Sequence, residues 1–130
     1  MTEYRFKAPT LFDAAAIAID AGTEYHDAPE EVGDRLAQHK PCAQWLADQL
    51  TARGVRTIGP DTDEGGWMIS VPAKDGFALI ILDISAKEGQ PFELLVTKIG
   101  SAEREVAQAE AALKAILESS PVISDLTIAE

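Results

Sequence analysis

The hydrophobic pattern changes its period partway along the chain. Between Val32 and Leu50 the apolar positions Val32, Leu36, Cys42, Trp45, Leu46 and Leu50 recur at helical spacing. Asp27-Ala28-Pro29-Glu30 opens this element: Asp27 can accept from first-turn amides, Pro29 tolerates the missing donor there, and Glu30 and Glu31 meet the positive dipole end. Pro41 removes an amide donor inside the run, which predicts a kink or two short helices meeting at Lys40-Pro41. Arg53-Gly54 closes the element, Gly54 being free to take a positive φ.

From Val55 onward the period falls to two. Strands are expected at Val55–Ile58, Trp67–Val71, Phe77–Ile84 and Phe92–Ile99; the third is apolar on both faces except at Asp83 and should be central. Gly59 to Gly66 reads as a loop by composition. The remaining turns are short enough to require antiparallel neighbours. Ser101 is the expected N-cap of a second helix, with Glu103 and Glu105 in its first turn and Val106, Ala109, Leu113, Ile116 and Leu117 on one face. Val122, Leu126 and Ile128 then alternate in a last strand. The first third is less patterned. A strand is expected near Tyr4–Lys7, whereas 10–22 fit a helix capped by Thr10 as well as a strand turning at Asp20-Ala21-Gly22.

These elements add up to a single α+β domain over 1–130. Its antiparallel sheet has about five strands, a four-strand meander over 55–99 plus the C-terminal strand, with two main helices on one face. The opposite face is expected to be partly solvent-exposed or to pair with another subunit as a homodimer.

Composition narrows the function classes. The 130 residues carry a net charge of −11, which argues against binding nucleic acid or anionic lipid. The longest apolar run, Phe77 to Leu82, is far short of a membrane span. With no signal-like segment after Lys7, the expected compartment is the cytoplasm. The acid is pooled: Asp20, Glu24, Asp27, Glu30, Glu31 and Asp34 fall in one stretch that holds no Lys or Arg.

Candidate chemistry is sparse. Asp61-Thr62-Asp63-Glu64-Gly65-Gly66 begins like a calcium loop, but the fifth ligand position is Gly65 and the twelfth, where a bidentate Glu is needed, is Pro72. His39 and Cys42 lack the further paired ligands that zinc requires. Cys42 would be an activated nucleophile only if a helix began at Pro41, with His39 as base; its place beside Trp45 and Leu46 favours plain core packing. Asp83 is an odd acid on an apolar strand, read as that strand's exposed end or as a carboxylate on the open sheet face. Phosphate-binding, dinucleotide and nucleophile-elbow motifs are absent. Trp67, which follows two glycines and three acids, is read either as a filler of the helix–sheet interface or as a partner anchor.

The order Leu46…Leu50…Gly54…Gly59-Pro60…Glu64…Gly66-Trp67, with the tail Ala112-Leu113…Ile116-Leu117…Pro121…Ile123…Asp125, resembles a small bacterial α+β family, some of whose members are similar to toxin-immunity proteins. The resemblance implies a compact domain without a known activity and carries no catalytic residues across. The expectation is a non-enzymatic, cofactor-free, metal-free module that caps a basic protein partner. The expected binding residues are Asp20, Glu24, Asp27, Glu30, Glu31, Asp34, Asp61, Asp63, Glu64 and Trp67. The rival expectation is a small enzyme or ligand-binding domain with a pocket near Cys42, His39 and Asp83.

Overall fold

A computed structural model describes residues 1–17, 30–63 and 66–130. In chain order the elements are β1 (Thr2–Lys7), a 3-10 turn (Pro9–Leu11), α1 (Glu30–Ala52), β2 (Ile58–Asp63), β3 (Gly66–Pro72), β4 (Asp75–Asp83), β5 (Phe92–Ser101), α2 (Glu103–Ser119) and β6 (Ser124–Ala129). The strands form one antiparallel sheet in the order β2-β3-β4-β5-β1-β6. The α+β class and the meander are as expected, with six strands rather than about five. The N-terminal strand is the reason: β1 inserts between β5 and β6, pairing with both.

Each helix forms because one stripe of it is apolar. In α1, Leu36, Ala37, Ala43, Leu46, Ala47 and Leu50 are buried; in α2, Ala109, Leu113, Ile116 and Leu117. α1 packs on β2 and β3, and α2 packs on β3, β4 and β5. The facing side chains of the sheet are Tyr4, Phe6, Trp67, Ile69, Val71, Ala78, Ile80, Leu82, Phe92, Leu94 and Val96, which join the helical stripes in one core.

Pro41 neither divides nor ends α1, which runs unbroken from Glu30 to Ala52. A mid-helix proline costs about 3 kcal/mol. Burying a single Leu side chain returns about 1.5–3 kcal/mol, and Leu36, Leu46 and Leu50 flank the proline on both sides. The interrupted hydrogen bond is therefore outweighed. At the far end Gly54 takes φ 82°, its amide bonds the Thr51 carbonyl at 3.0 Å, and the Val55 amide bonds the Leu50 carbonyl at 3.0 Å. This is a Schellman stop, and Leu50 and Val55 at its two ends are both buried in the core. Val55 thus terminates the helix instead of beginning a strand.

Two further expectations are corrected. The stretch read as a loop from Gly59 onward is largely strand, since β2 spans Ile58–Asp63. Gly and Pro disfavour strands only where the ladder needs their donors. At a sheet edge Pro60 leaves no partner unsatisfied, and the register shift between Ile58 and Asp61 absorbs the irregular backbone. Ser101 does not cap α2; its backbone pairs with Asp75 as the last residue of β5, and Ala102 stands at the N-cap without a side-chain bond. Glu103 and Glu105 do occupy the first turn, and Glu103 pairs with Lys98. The interval 10–22, undecided between helix and strand, holds the 3-10 turn and further turns up to residue 17, and its remainder lies outside the described residues. The Asp27-Ala28-Pro29 start signal also lies outside them.

Candidate functional site: the open face of the sheet

Cys42, His39 and Asp83 do not come together in a pocket among the described residues. Cys42 is fully buried in the middle of the unbroken α1, and burial pushes its thiol pKa far above the usual range. No helix N-terminus is near to lower it, so it is a core residue. His39 is also fully buried. Its Nδ1–H donates to the Arg35 carbonyl at 2.7 Å, and its ring sits edge-on to Phe12 and Phe92, with centroids 5.4 Å away in each case. Nε2 has no partner among the described residues. Desolvation holds the imidazole pKa below its ordinary value, and the neighbouring Asp83 charge offsets this only in part. Asp83 ends β4 as an Asx turn: Oδ1 accepts from the Ser85 amide at 2.7 Å and from the Ser85 hydroxyl. Among the described residues no group of three or more His, Cys, Asp or Glu is arranged to hold a metal.

Trp67 is corrected as a partner anchor. Its side chain points into the helix–sheet interface, 4% exposed, and its indole N–H donates to the Leu36 carbonyl of α1 at 2.8 Å. Trp45 is partly buried against the same core.

The acidic residues separate into two settings. Glu31 lies on α1 in an ion pair with Arg35, 2.7 Å apart, and Asp34 lies on the same helix. Glu30 is the first described residue of that helix. Asp61 lies on the edge strand β2, exposed and directly opposite Met68, and Asp63 is that strand's last residue. Asp20, Glu24, Asp27 and Glu64 fall outside the described residues. The two acidic segments of the sequence therefore do not share one surface wherever they can be placed. Glu31 and Asp34 belong to the helical layer. Asp61 points to the other side of the sheet, as Met68 does.

That other side, expected to be partly solvent-exposed or to pair with a second copy, is where the structure supplies residues that the sequence reading did not name. Because both helices lie on one face, the alternate residues of every strand look outward. On β3, β4 and β5 the apolar ones are Met68, Phe77, Leu79, Ile81 and Leu95, all half-buried, with Ile99 50% exposed beside Phe77 and Leu79 set between Ser70 and Thr97. Strand register aligns a row across five of the six strands, with Ala129 of β6 following beyond its Glu3 end. Asp61 is opposite Met68, Met68 opposite Ile81, Ile81 opposite Leu95, and Leu95 opposite Glu3. Three apolar side chains thus lie between two carboxylates. Toward one end of the strands the face turns polar. Arg5 pairs with Glu93 at 3.4 Å, and a shallow depression of about 300 Å³ is lined by Glu3, Arg5, Ile81, Asp83, Glu93 and Leu95. A second depression of about 260 Å³ adjoins it, sharing Arg5, Asp83 and Glu93.

The signal for this face was present in the sequence. A strand covered on one side only should alternate apolar with polar. Phe77 to Leu82 does not alternate, and its outward positions 77, 79 and 81 are as apolar as its inward ones.

Comparison with known protein families, with characterised proteins and with solved structures finds no match to this chain. Among the described residues no helix is long and apolar enough to cross a membrane.

Proposed function

We propose that this protein is a non-enzymatic protein-binding module, immunity-like in character, that caps a basic surface of a partner protein with the open face of its sheet. The observation that carries the reading is the row Asp61–Met68–Ile81–Leu95–Glu3, an apolar centre closed at both ends by carboxylates. An apolar centre with a charged rim is the usual anatomy of a binding patch: the centre supplies affinity by desolvation, and the rim steers encounter and selects the sign of the partner. The net charge of −11 acts in the same direction at longer range. Chemistry at Cys42 and His39 is disfavoured because both are sealed in the core and Asp83 is engaged by its own turn.

Site-directed photo-crosslinking in the native host tests this reading. A crosslinking residue replacing Leu79, on the open face, is expected to trap a chain of net positive charge. The same residue replacing Glu118, exposed on α2, is expected to trap none. Identical adducts from both positions, no adduct at 79, or an adduct to an acidic chain would each count against it.

A further inference from the structure

We infer that the occupant of the open face is a basic amphipathic helix of the partner, lying along β4 with its apolar stripe on Leu79, Ile81 and Leu95. Lysines or arginines on its two flanks reach Asp61 on one side and Glu3 on the other. The inference rests on the protein-binding reading above and adds the shape and charge pattern of what is bound.

The width of the row argues for a helix. From β2 to β1 there are four strand spacings, so Asp61 and Glu3 stand about 19 Å apart. A helix with its side chains is about 10–12 Å across, which leaves roughly 4 Å on each flank. That gap is the reach of a long cationic side chain whose stem lies on apolar surface while its head extends sideways. The length agrees as well. Phe77 to Ile81 covers four residue steps, about 13 Å, which two to three helical turns span. A helix laid there covers the outward apolar side chains that α1 and α2, both on the opposite face, leave bare.

Other occupants fit less well. Two copies of this chain facing each other about a two-fold axis centred on Ile81 set Asp61 against Asp61 or against Glu3, according to whether the axis runs across or along the strands. Either arrangement desolvates carboxylate beside carboxylate, and each copy brings a net −11. An anionic membrane meets the same repulsion.

Three synthetic peptides of about 14 residues test the inference against the full-length, isotope-labelled protein. One has leucines at i, i+3, i+4, i+7, i+8, i+11 and i+12 with lysine elsewhere. The second has the same spacing with glutamate, and the third has the first peptide's composition with leucine and lysine alternating. At about 50 mM salt only the first is expected to shift the amides of Met68, Leu79, Ile81 and Leu95. The double variant Glu3→Gln, Asp61→Asn is expected to weaken it about fivefold, the effect of losing two rim charges. Asp48→Asn with Glu118→Gln, an equal charge change on the helices, is expected to alter it less than twofold. Both pairs of positions are exposed, so native circular dichroism is expected throughout. Equal weakening by the two double variants would reduce the binding to general attraction for an acidic protein. Preference for the alternating peptide would replace the helix by an extended segment, and self-association through Leu79 would make the occupant a second copy. Each of these overturns the inference. If no peptide binds while crosslinking at position 79 still traps a basic chain, the helix falls and the binding module stands; if neither occurs, both fall.

Discussion

His39 is the residue whose burial has the clearest consequence. Its ring is packed against Phe12 and Phe92, Nδ1–H is used by the Arg35 carbonyl, and Nε2 meets no acceptor among the described residues. A proton added at Nε2 would charge a desolvated group, so the native pKa lies below the ordinary 6.5, with burial the main cause and the Asp83 charge opposing it. The unfolded chain takes up that proton first. His39 therefore leaves stability intact above pH 6.5 and erodes it as pH falls from there toward the native pKa. Urea titrations at pH 7.5, 6.5 and 5.5 are expected to give unfolding free energies that fall as pH falls, by at most about 1.4 kcal/mol per pH unit for one group. His39→Leu is expected to flatten that slope, because it removes the titrating group while keeping an apolar contact with Phe12 and Phe92. An unchanged slope would place the effect elsewhere. Trp67 supplies a second prediction at this scale. Trp67→Phe removes the 2.8 Å bond to the Leu36 carbonyl and part of a packed ring, at a cost of about 1–3 kcal/mol in urea unfolding. Binding at the open face is expected to remain unchanged in peptide titrations, since the indole lies on the other side of the sheet.

At the scale of elements, β2 is an edge strand whose attachment a single substitution can disturb. Gly59 holds φ 100°, and a Cβ there would stand 2.8 Å from the Met68 carbonyl. Gly59→Ala is expected to cost about 1–3 kcal/mol. Hydrogen exchange should locate the loss, with β2 amides deprotected while those of β4 and β5 keep their protection. The same strand shows where the sequence was hard to read. Gly59-Pro60-Asp61 carries every local mark of a turn, and only its place at the sheet edge, which is a tertiary fact, makes it strand. Pro41 is the parallel case in α1: local chemistry predicts a break, and the buried leucines on either side override it. By contrast β3, β4, β5 and α2 were legible, because in each of them local period and tertiary burial agree. The open face was half legible. The outward apolar residues of β4 stand in the sequence, but their alignment with Asp61 and Glu3 depends on register across five strands and on β1 inserting beside β5. No local pattern announces that register.

For the molecule as a whole, the layout separates two consequences of one charge imbalance. The chain carries 22 acidic and 11 basic residues. The ion pairs among the described residues, Arg5–Glu93, Lys7–Asp125, Arg35–Glu31 and Lys98–Glu103, are all solvent-exposed and contribute little to stability. Folding gathers the surplus carboxylates onto a compact surface, so self-repulsion opposes the native state. Added salt screens that repulsion; the Debye length contracts from about 14 Å at 0.05 M to about 4 Å at 0.5 M. Stability is therefore expected to rise over that range, read as an increase in urea midpoint. Attraction between the rim carboxylates and a cationic partner helix is screened by the same ions. Its affinity is expected to fall over the same range, read in the dissociation constant of the leucine–lysine peptide. The two slopes have opposite sign because one sums repulsion within the chain and the other sums attraction across an interface. Glu3→Gln with Asp61→Asn is expected to reduce the salt slope of binding while leaving that of folding nearly unchanged, since two charges are a small part of the surplus but close the apolar row at both ends. Parallel losses in both slopes would mean that the row has no special part in recognition and that the acidic surface acts only as a diffuse field.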